Sequence, residues 1–363
     1  MIPTAKPKLP SADALLTYLR QIDENRYYTN LGPLVRTFEK RFAGWVDIGE
    51  GDVVTASNGT AIMELAITAL DLPPESYVIL PSWTFIATAQ AVTRCGFKPF
   101  FADVDSESWA ITPDIVRAAL KKCPGPVSLV LPVAAFGLPL DVASWEAFMD
   151  ETGISVLIDA AAVSPLEVKV SDKVISTLSL HATKVLNAGE GGLLLYKNPE
   201  FNTRVREMSN FDLLHPEGVS RASGNSKMSE YHAAVALASL DEWDEVARDF
   251  MRVAKRYHEN LENEELVTLR PGYGTLRFNS SCIVETKTPV NPARMADLGV
   301  AVRHSWRQGC YREPLYQNAA RTDLPVSEHL AAHTTGLPCF RDLSDADIDK
   351  VCAILLAHLR ENS

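Results

Sequence analysis

Several features that define other classes of protein are scarce in this chain of 363 residues. It has no excess of basic residues, because 35 Lys and Arg against 46 Asp and Glu give a formal net charge of −11. Binding to nucleic acid or to an anionic membrane depends on clustered basic side chains that neutralise phosphates. We therefore expect neither nucleic acid nor a membrane surface as a partner.

Long hydrophobic stretches are also missing. The longest apolar stretch, residues 127–140, is interrupted by a serine, a glycine and two prolines. It falls short of the roughly 18 apolar residues that a membrane-spanning helix requires. Residues 1–16 lack the apolar segment of a signal peptide. These absences predict a cytoplasmic protein.

Cysteine pairs and metal-ligand clusters are lacking as well. The six cysteines are scattered without any Cys-x-x-Cys spacing, so reduced thiols are expected rather than disulfides or structural zinc. His329 and His333 are four residues apart on a possible helix, but Leu330 stands where a zinc protease of the His-Glu-x-x-His type has glutamate. We predict no metal site.

What the sequence does contain is an alternation of short apolar runs and amphipathic stretches between residues 50 and 200. This alternation is typical of β-α-β units, with a mostly parallel sheet covered by helices. Thr112 and Pro113 mark the start of one helix, as N-cap and first helical residue. The candidate strands are residues 53–55, 77–80, 99–104, 127–133, 155–159, 174–180 and 193–196.

The regular alternation stops in the last third of the chain. Residues 229–261 are predicted as one long helix, followed by short strands at 267–269 and 282–285. Ser344 and Asp347 are expected to cap the closing helix reciprocally. The predicted fold is α/β. Its large domain is residues 1–245, with a mostly parallel seven-stranded sheet between helices. Residues 246–363 form a small C-terminal α+β domain.

The most informative segment for function is Ser-Leu-His-Ala-Thr-Lys at residues 179–184, followed by Gly-Glu-Gly-Gly at 189–192. A lysine with its ordinary pKa of about 10.4 is protonated, and it becomes a nucleophile or base only when desolvated or bonded to a carbonyl. An isolated lysine is usually a solvated surface charge. Here an apolar strand precedes Lys184 and glycines follow it, which favours a buried lysine beside a cofactor.

Asp159 lies 25 residues before Lys184, at the end of a predicted parallel strand. Sheets of this class bind ligands at the carboxyl ends of their strands. Alone, such an aspartate is as readily a helix cap or turn residue. Together with a lysine it fits the chemistry of pyridoxal phosphate (PLP), which uses an anion to keep the pyridine nitrogen protonated.

Two further segments suit the rest of such a cofactor. Residues 57–61, Ser-Asn-Gly-Thr-Ala, join a strand to a predicted helix at 62–70, where backbone N–H groups can hold a phosphate. On its own this turn is a weak signal, because small residues often cap helices. Phe85, in the segment 81–88, can stack on a cofactor ring, although packing in the core explains its position equally well.

Taken in chain order, these segments resemble the DegT/StrS-type sugar aminotransferases, which are PLP enzymes of the aspartate-aminotransferase fold. The Ser-x-His-x-Thr-Lys segment with Gly-Glu-Gly-Gly is specific to that resemblance, whereas the glycine-threonine turn is not. The resemblance covers nearly the whole chain. The other matching segments are residues 32–33, 38–39, 98–105, 159–161, 224–228 and 337–338.

The resemblance implies a role for each matching residue. Lys184 would bond covalently to PLP and carry the proton between the substrate and cofactor carbons, and Asp159 would pair with the pyridinium nitrogen. Phe85 would stack on the ring. Asn225 would reach the phosphate from the neighbouring subunit, so that a homodimer shares its active sites. The other phosphate contacts would be the backbone N–H groups of Gly59, Thr60 and Ala61 and the hydroxyl of Ser179.

Three residues depart from the family pattern. Ala162 stands where the family usually has Gln or His, Ala134 where His is common, and Ser226 where Tyr is usual. All three belong to the predicted cofactor and substrate region. They bear on the choice of substrate more than on the fold, because Lys184 and Asp159 are both present.

The implied function is transfer of an amino group from an amino acid, with glutamate expected, to a keto-sugar carried on a nucleotide. A cyclitol (inosose-type) aminotransferase would use the same residues. A PLP-dependent sugar dehydratase is disfavoured by Lys184, because that branch has histidine there. Because Ala134 and Ala162 lack side chains that the family usually has, a non-catalytic relative of the fold is a further alternative. Residues 27–33 and 303–307 are candidate substrate contacts, with packing or surface exposure as the simpler explanation for each.

Overall fold

A seven-stranded sheet forms the centre of the computed structural model, which describes residues 1–213 and 215–362. Its order is β1-β7-β6-β5-β4-β2-β3. β7 is antiparallel to both of its neighbours, and every other adjacent pair is parallel. This confirms the predicted mostly parallel sheet. The strands are β1 (Val53–Ala56), β2 (Tyr77–Pro81), β3 (Lys98–Ala102), β4 (Val127–Val130), β5 (Ser155–Asp159), β6 (Ile175–Ser179) and β7 (Gly192–Leu195).

In the part of the chain that the structure describes, twelve α-helices surround this sheet and a smaller one. Thr112 caps α5 through the N–H of Ile115, with Pro113 as the first helical residue, as predicted. The helices are α1 (Ala12–Asn25), α2 (Pro33–Trp45), α3 (Gly59–Ala69), α4 (Ile86–Arg94), α5 (Pro113–Leu120), α6 (Val142–Thr152), α7 (Pro199–Met208), α8 (Glu230–Asp241), α9 (Trp243–Leu261), α10 (Pro292–Asp297), α11 (Pro325–His333) and α12 (Asp345–Glu361). Among the described residues, none of these helices has the length and apolar character needed to cross a bilayer.

The predicted strand at 127–133 is shorter in the structure. β4 ends at Val130, because Pro132 has no N–H to continue the ladder. The chain nevertheless stays beside β5, since the N–H of Asp159 donates to the Pro132 carbonyl (2.9 Å) and Val133 forms an isolated bridge with Asp159. This irregular extension fixes the backbone at the end of β5.

The prediction of one helix over 229–261 is wrong. The structure has two helices, α8 and α9, with a break at Glu242. α8 is buried on most sides and packs on α1 and α2, whereas α9 has a single apolar stripe and packs on α12 and the small sheet. The two halves bury different faces against different partners, and the helix is interrupted between them.

The small sheet comprises β8 (Val267–Leu269), β9 (Cys282–Thr286) and β10 (Thr334–Leu337), in the antiparallel order β10-β9-β8. Its first two strands confirm the predicted positions. Of the predicted reciprocal cap of α12, the bond to Ser344 is present, but the return bond from Asp347 to the Ser344 N–H is not among the described contacts. Ser344 Oγ accepts from the Asp347 N–H (3.1 Å), but it also donates to Asp347 Oδ2 (2.8 Å). The division of the chain at residues 245/246 stays a prediction, and α9 runs through that point.

Candidate functional site

A cavity of about 830 Å³ opens at the carboxyl edge of the large sheet. Its floor is made by the ends of β5 and β6 and the starts of α3 and α4. The N-terminal segment and residues near β9 and β10 form its walls. Six of the sequence-predicted site residues line it, whereas Ala61 and Asn225 do not. The six are Gly59, Thr60, Phe85, Asp159, Ser179 and Lys184.

Lys184 lies in the tight loop between β6 and β7. Its N–H donates to the carbonyl of His181 (2.8 Å), and the N–H of Ala182 donates to that of Gly189 (2.9 Å), whose φ of +77° suits glycine. Burial lowers the pKa of Lys184 from its usual value. The Asp159 carboxylate opposes that shift, and positively charged Arg303 adds to it.

The glycines after Lys184 have a structural reason that the sequence did not reveal. A Cβ on Gly192 would lie 2.4 Å from the carbonyl oxygen of Asn58, and one on Gly191 would lie 2.6 Å from the Met228 side chain. These glycines therefore let the start of α3 and the segment before α8 pack against the loop. The bulky neighbour is protein rather than a bound molecule.

Asp159 ends β5 on the cavity floor and is only 5% exposed. Its Oδ2 accepts a hydrogen bond from Thr88 Oγ1 (2.8 Å), and its Oδ1 accepts one from the N–H of Ala161 (3.1 Å). Burial raises the pKa of this carboxyl, while both hydrogen bonds and the nearby Lys184 lower it. The result is a carboxylate with a fixed orientation in an apolar setting.

The start of α3 fits the phosphate of PLP. Asn58 caps the helix by accepting from the Ala61 N–H (2.8 Å), which leaves Ala61 engaged within the protein. Among the described residues, no group accepts from the N–H of Gly59 or Thr60. The Ser179 side chain is adjacent, since a Cβ on Gly59 would lie 3.0 Å from Ser179 Cβ. Two free N–H groups at a helix N-terminus and a hydroxyl suit a dianion.

Phe85 and Asn225 occupy contrasting positions. Phe85 lines the cavity and is 61% exposed, so packing in the core does not explain it. Asn225 lies outside the cavity of its own chain, and its Oδ1 accepts from Lys227 Nζ (2.7 Å). The next residue reaches back to the phosphate turn, because the carbonyl of Ser226 accepts from the Ser57 N–H (2.7 Å).

The three departures from the family pattern engage the site mainly through backbone atoms. Asn279 Nδ2 donates to the Ala162 carbonyl (2.7 Å) and lines the cavity beside it. The N–H of Ala134 donates to the Asp159 carbonyl (2.9 Å). Sequence reasoning missed Asn279 altogether, because it lies in a loop with no motif.

Thr88 was missed as well. It lies four residues after Thr84 and so one helical turn further on, and this spacing around Phe85 is the only signal that could have identified it.

Arg303 belongs to a segment that was considered for substrate contacts. Unlike the cavity cations Lys6, Lys8 and Arg341, neither Arg303 nor Lys184 has a carboxylate of the described residues within ion-pair distance. The others are paired: Lys6 with Asp342 (2.9 Å), Lys8 with Glu245 (4.0 Å), and Arg341 with Glu245 (2.8 Å) and Asp249 (2.9 Å).

The two histidines considered for metal binding lie on α11, as expected. Their rings stack at 4.1 Å, and His329 Nε2 is 2.8 Å from Glu285 Oε1. Within residues 1–213 and 215–362, no group of three or more His, Cys, Asp or Glu side chains is arranged to hold a metal ion.

Known proteins share both the sequence pattern and the fold. Residues 11–356 match the DegT/DnrJ/EryC1/StrS aminotransferase family. UDP-N-acetyl-3-dehydro-alpha-D-glucosamine 3-aminotransferase of Acidithiobacillus ferrooxidans is 27% identical over 353 residues, covering 95% of this chain and 94% of the relative. GDP-perosamine synthase of Vibrio cholerae is 23% identical, covering 97% of each chain.

Solved structures agree. The structure of DesI in the presence of its TDP-sugar product is 31% identical, with a TM-score of 0.86, covering 99% of this chain and 93% of DesI. 3-Amino-5-hydroxybenzoic acid synthase has the same fold, with 21% identity and a TM-score of 0.81. The match covers 98% of this chain and 99% of the synthase.

Proposed function

This chain belongs to the DegT/DnrJ/EryC1/StrS family of PLP-dependent aminotransferases, and from that premise we propose that it transfers an amino group from an amino acid, with glutamate as the expected donor, to a keto-sugar carried on a nucleotide. One observation carries the proposal. Lys184, with its pKa lowered by burial, faces the same cavity as Asp159, a buried carboxylate in a fixed orientation.

The residues on the floor have separate tasks. When bound, PLP supplies an electron-withdrawing ring that stabilises negative charge at the substrate carbon. Burial lowers the pKa of Lys184 and so favours the neutral amine, the form that would bond to a carbonyl and exchange a proton. Asp159 would pair with the ring nitrogen and, when ionised, would stabilise its proton.

The other floor residues hold the cofactor in place. Gly59, Thr60 and Ser179 would bind the phosphate, and Phe85 would stack on the ring.

Arg303 supports an amino acid as the donor. Its backbone is held by two hydrogen bonds with Gly336, of 3.2 and 2.9 Å, so its Cα is anchored to β10. It lines the same cavity as Lys184, and its positive charge lowers the pKa of that amine. In an α-amino acid the carboxylate is attached to the reacting carbon. An unpaired guanidinium close to Lys184 is therefore suited to bind that carboxylate.

The size and lining of the cavity support a larger acceptor. About 830 Å³ is more than an amino acid fills and lies in the range of sites for nucleotide-sized ligands. Phe136 and Trp306 stack on one another on its wall, with ring centroids 3.9 Å apart and planes at 16°. Aromatic faces of this kind pack against the C–H face of a sugar ring. The relatives named above act on UDP- and GDP-linked sugars, and a cyclitol ring is the second candidate.

Two further features belong to the proposal. Because Asn225 lies outside the cavity of its own chain, we infer a homodimer in which each chain completes the phosphate site of the other. The cytoplasmic location stays a prediction from the sequence.

The test is a matrix of donors and acceptors with the PLP-loaded protein. Glutamate is offered with 3-keto and 4-keto sugars linked to UDP, dTDP or GDP, and with an inosose. Release of 2-oxoglutarate and the mass of the aminated product are measured. We expect turnover with at least one nucleotide-linked keto-sugar.

Other outcomes separate the alternatives. Turnover with the inosose alone would replace the sugar by a cyclitol. A visible cofactor band that no amino donor changes would identify a non-catalytic relative. Lys184→Ala is the matched control for background release.

A further inference from the structure

We infer that Thr84 and Thr88 form a hydrogen-bond chain that stabilises the ionised form of Asp159 and fixes its orientation, which makes Thr88 a positioning residue for the transamination. This inference rests on the proposed role of Asp159. Thr84 Oγ1 lies 2.9 Å from Thr88 Oγ1, and Thr88 Oγ1 lies 2.8 Å from Asp159 Oδ2. The two threonines are 1% and 0% exposed, so water does not compete for these bonds.

Counting hydrogens gives the chain its direction. A hydroxyl group has one hydrogen to donate, and an ionised carboxylate only accepts. Thr88 must therefore use its hydrogen on Asp159. The contact between the two threonines is then made with Thr84 as donor and Thr88 as acceptor. A hydrogen donated by Thr88 stabilises the negative charge of the carboxylate, so this arrangement favours the ionised form of Asp159.

The chain also ties Asp159 to the start of α4. Thr84 and Thr88 flank the helix N-terminus at Phe85, which has no side-chain capping bond of its own. Asp159 is held from its other side by the Ala161 N–H. The carboxylate is thus held between α4 and the turn after β5. Phe85, which lines the cavity, lies at the start of the same helix.

Few charged groups act on this carboxylate. From the loop after β6, Lys184 lowers the pKa of Asp159, and from the segment between α10 and α11, Arg303 lowers the pKa of Lys184 in turn. α4 contributes the Thr88 hydroxyl rather than a charge. Loss of that hydroxyl removes a bond that lowers the pKa of Asp159, so the pKa rises and protonation begins at higher pH.

The test compares Thr88→Val, which keeps the shape and removes the hydroxyl, with Thr88→Ser, which retains it. Thr93→Val is the matched control in the same helix, since Thr93 bonds to the Ala89 carbonyl and to Tyr316 instead. The readouts are kcat and KM against pH, the absorbance of bound PLP against pH, and the rate at which PLP is lost on dialysis.

For Thr88→Val we expect kcat to fall about tenfold, with KM little changed. The acid limb of the kcat profile should move up by about one pH unit, and PLP should dissociate faster. Thr88→Ser should restore all three, and Thr93→Val should match the parent. A parent-like pH profile and PLP loss in a folded Thr88→Val protein would overturn the inference.

Two further variants keep the test decisive. If Asp159→Asn changes neither kcat nor the PLP spectrum, the proposed role of Asp159 fails. If Asp159→Asn lowers kcat while Thr88→Val does not, only the hydroxyl chain fails. Should Thr88→Val not fold, Thr84→Val carries the test. A smaller shift of the same sign supports the chain, and a parent-like profile overturns it.

Discussion

The floor and the rim of the cavity hold their charges in different ways. On the floor, Asp159 is 5% exposed and its bonding partners come from Thr88 and a backbone N–H. On the rim, the side chains of Lys6 and Asp342 form an ion pair while 63% and 47% exposed. Solvent screens the rim pair, which contributes little to stability, whereas the buried carboxylate depends wholly on its neighbours.

The difference indicates a division of labour. Groups that are desolvated have shifted pKa values and can carry out proton transfer and charge stabilisation. Exposed groups at the mouth of the cavity keep their ordinary charges and meet the substrate first. We therefore expect substitutions on the floor to lower kcat and substitutions on the rim to raise KM.

The largest effect is expected at Lys184. Lys184→Ala should abolish transamination and the covalent bond to PLP, because no other amine faces Asp159 across the cavity floor among the described residues. Borohydride reduction of the parent followed by mass spectrometry should locate the pyridoxyl group on Lys184. A label on Lys173 or Lys197 would contradict this. Lys173→Ala is the control, since Lys173 pairs with Asp150 (2.6 Å) on the surface.

The shared-site dimer predicts that two inactive chains complement each other. Lys184→Ala and Asn225→Asp should each be inactive, the second because its charge opposes the phosphate. After exchange of subunits, a hybrid dimer has one site with both residues intact, so an equal mixture should recover about a quarter of the parental activity. If exchange is demonstrated by mass spectrometry and the mixture stays inactive, Asn225 does not complete a partner's site.

Asp159→Asn tests the charge of the floor while keeping its shape. We expect kcat to fall about a hundredfold or more, because a buried cationic ring nitrogen would lose its anion. KM should change little, because Asp159 would interact with the cofactor and not with the substrate. Steady-state kinetics of a variant with parent-like thermal stability provide the measurement. Turnover near that of the parent would remove Asp159 from this role.

Substitutions on the rim should have smaller effects, and these should appear in KM rather than in kcat. Arg303→Gln is expected to raise the KM for the amino donor about tenfold with kcat nearly unchanged. Because Arg303 lowers the pKa of Lys184, its removal should raise that pKa. The pH at which PLP bonds to the apo-protein at half its maximal rate should then increase.

Lys6→Gln is the matched rim control, as Lys6 is already paired with Asp342 and does not act on Lys184. Equal effects of the two substitutions on donor KM would show that Arg303 has no special part in donor binding.

Features that depend on a short stretch of sequence could be predicted, and features that depend on packing could not. Strand positions, the capped start of α5 and the locations of Lys184 and Asp159 were accessible, because each depends on a short stretch of sequence. The break at Glu242 was not, since an unbroken helical pattern runs through it and only the different partners of α8 and α9 separate them. β10 was also missed, because it exists through its pairing with β9.

The sequence by itself determined the α/β class, the strand ends that carry the site and the specific segment around Lys184, because periodicity and motifs are local properties of the chain. The tertiary structure alone decided which hydroxyl reaches Asp159, 71 residues from Thr88, and which cations of the cavity form ion pairs. Lys6 pairs with Asp342, 336 residues away, whereas Arg303 has no carboxylate within ion-pair distance among residues 1–213 and 215–362. Such pairings depend on how distant segments pack. No local sequence pattern encodes them, because desolvation and hydrogen bonding act between groups that are close in space and not in sequence.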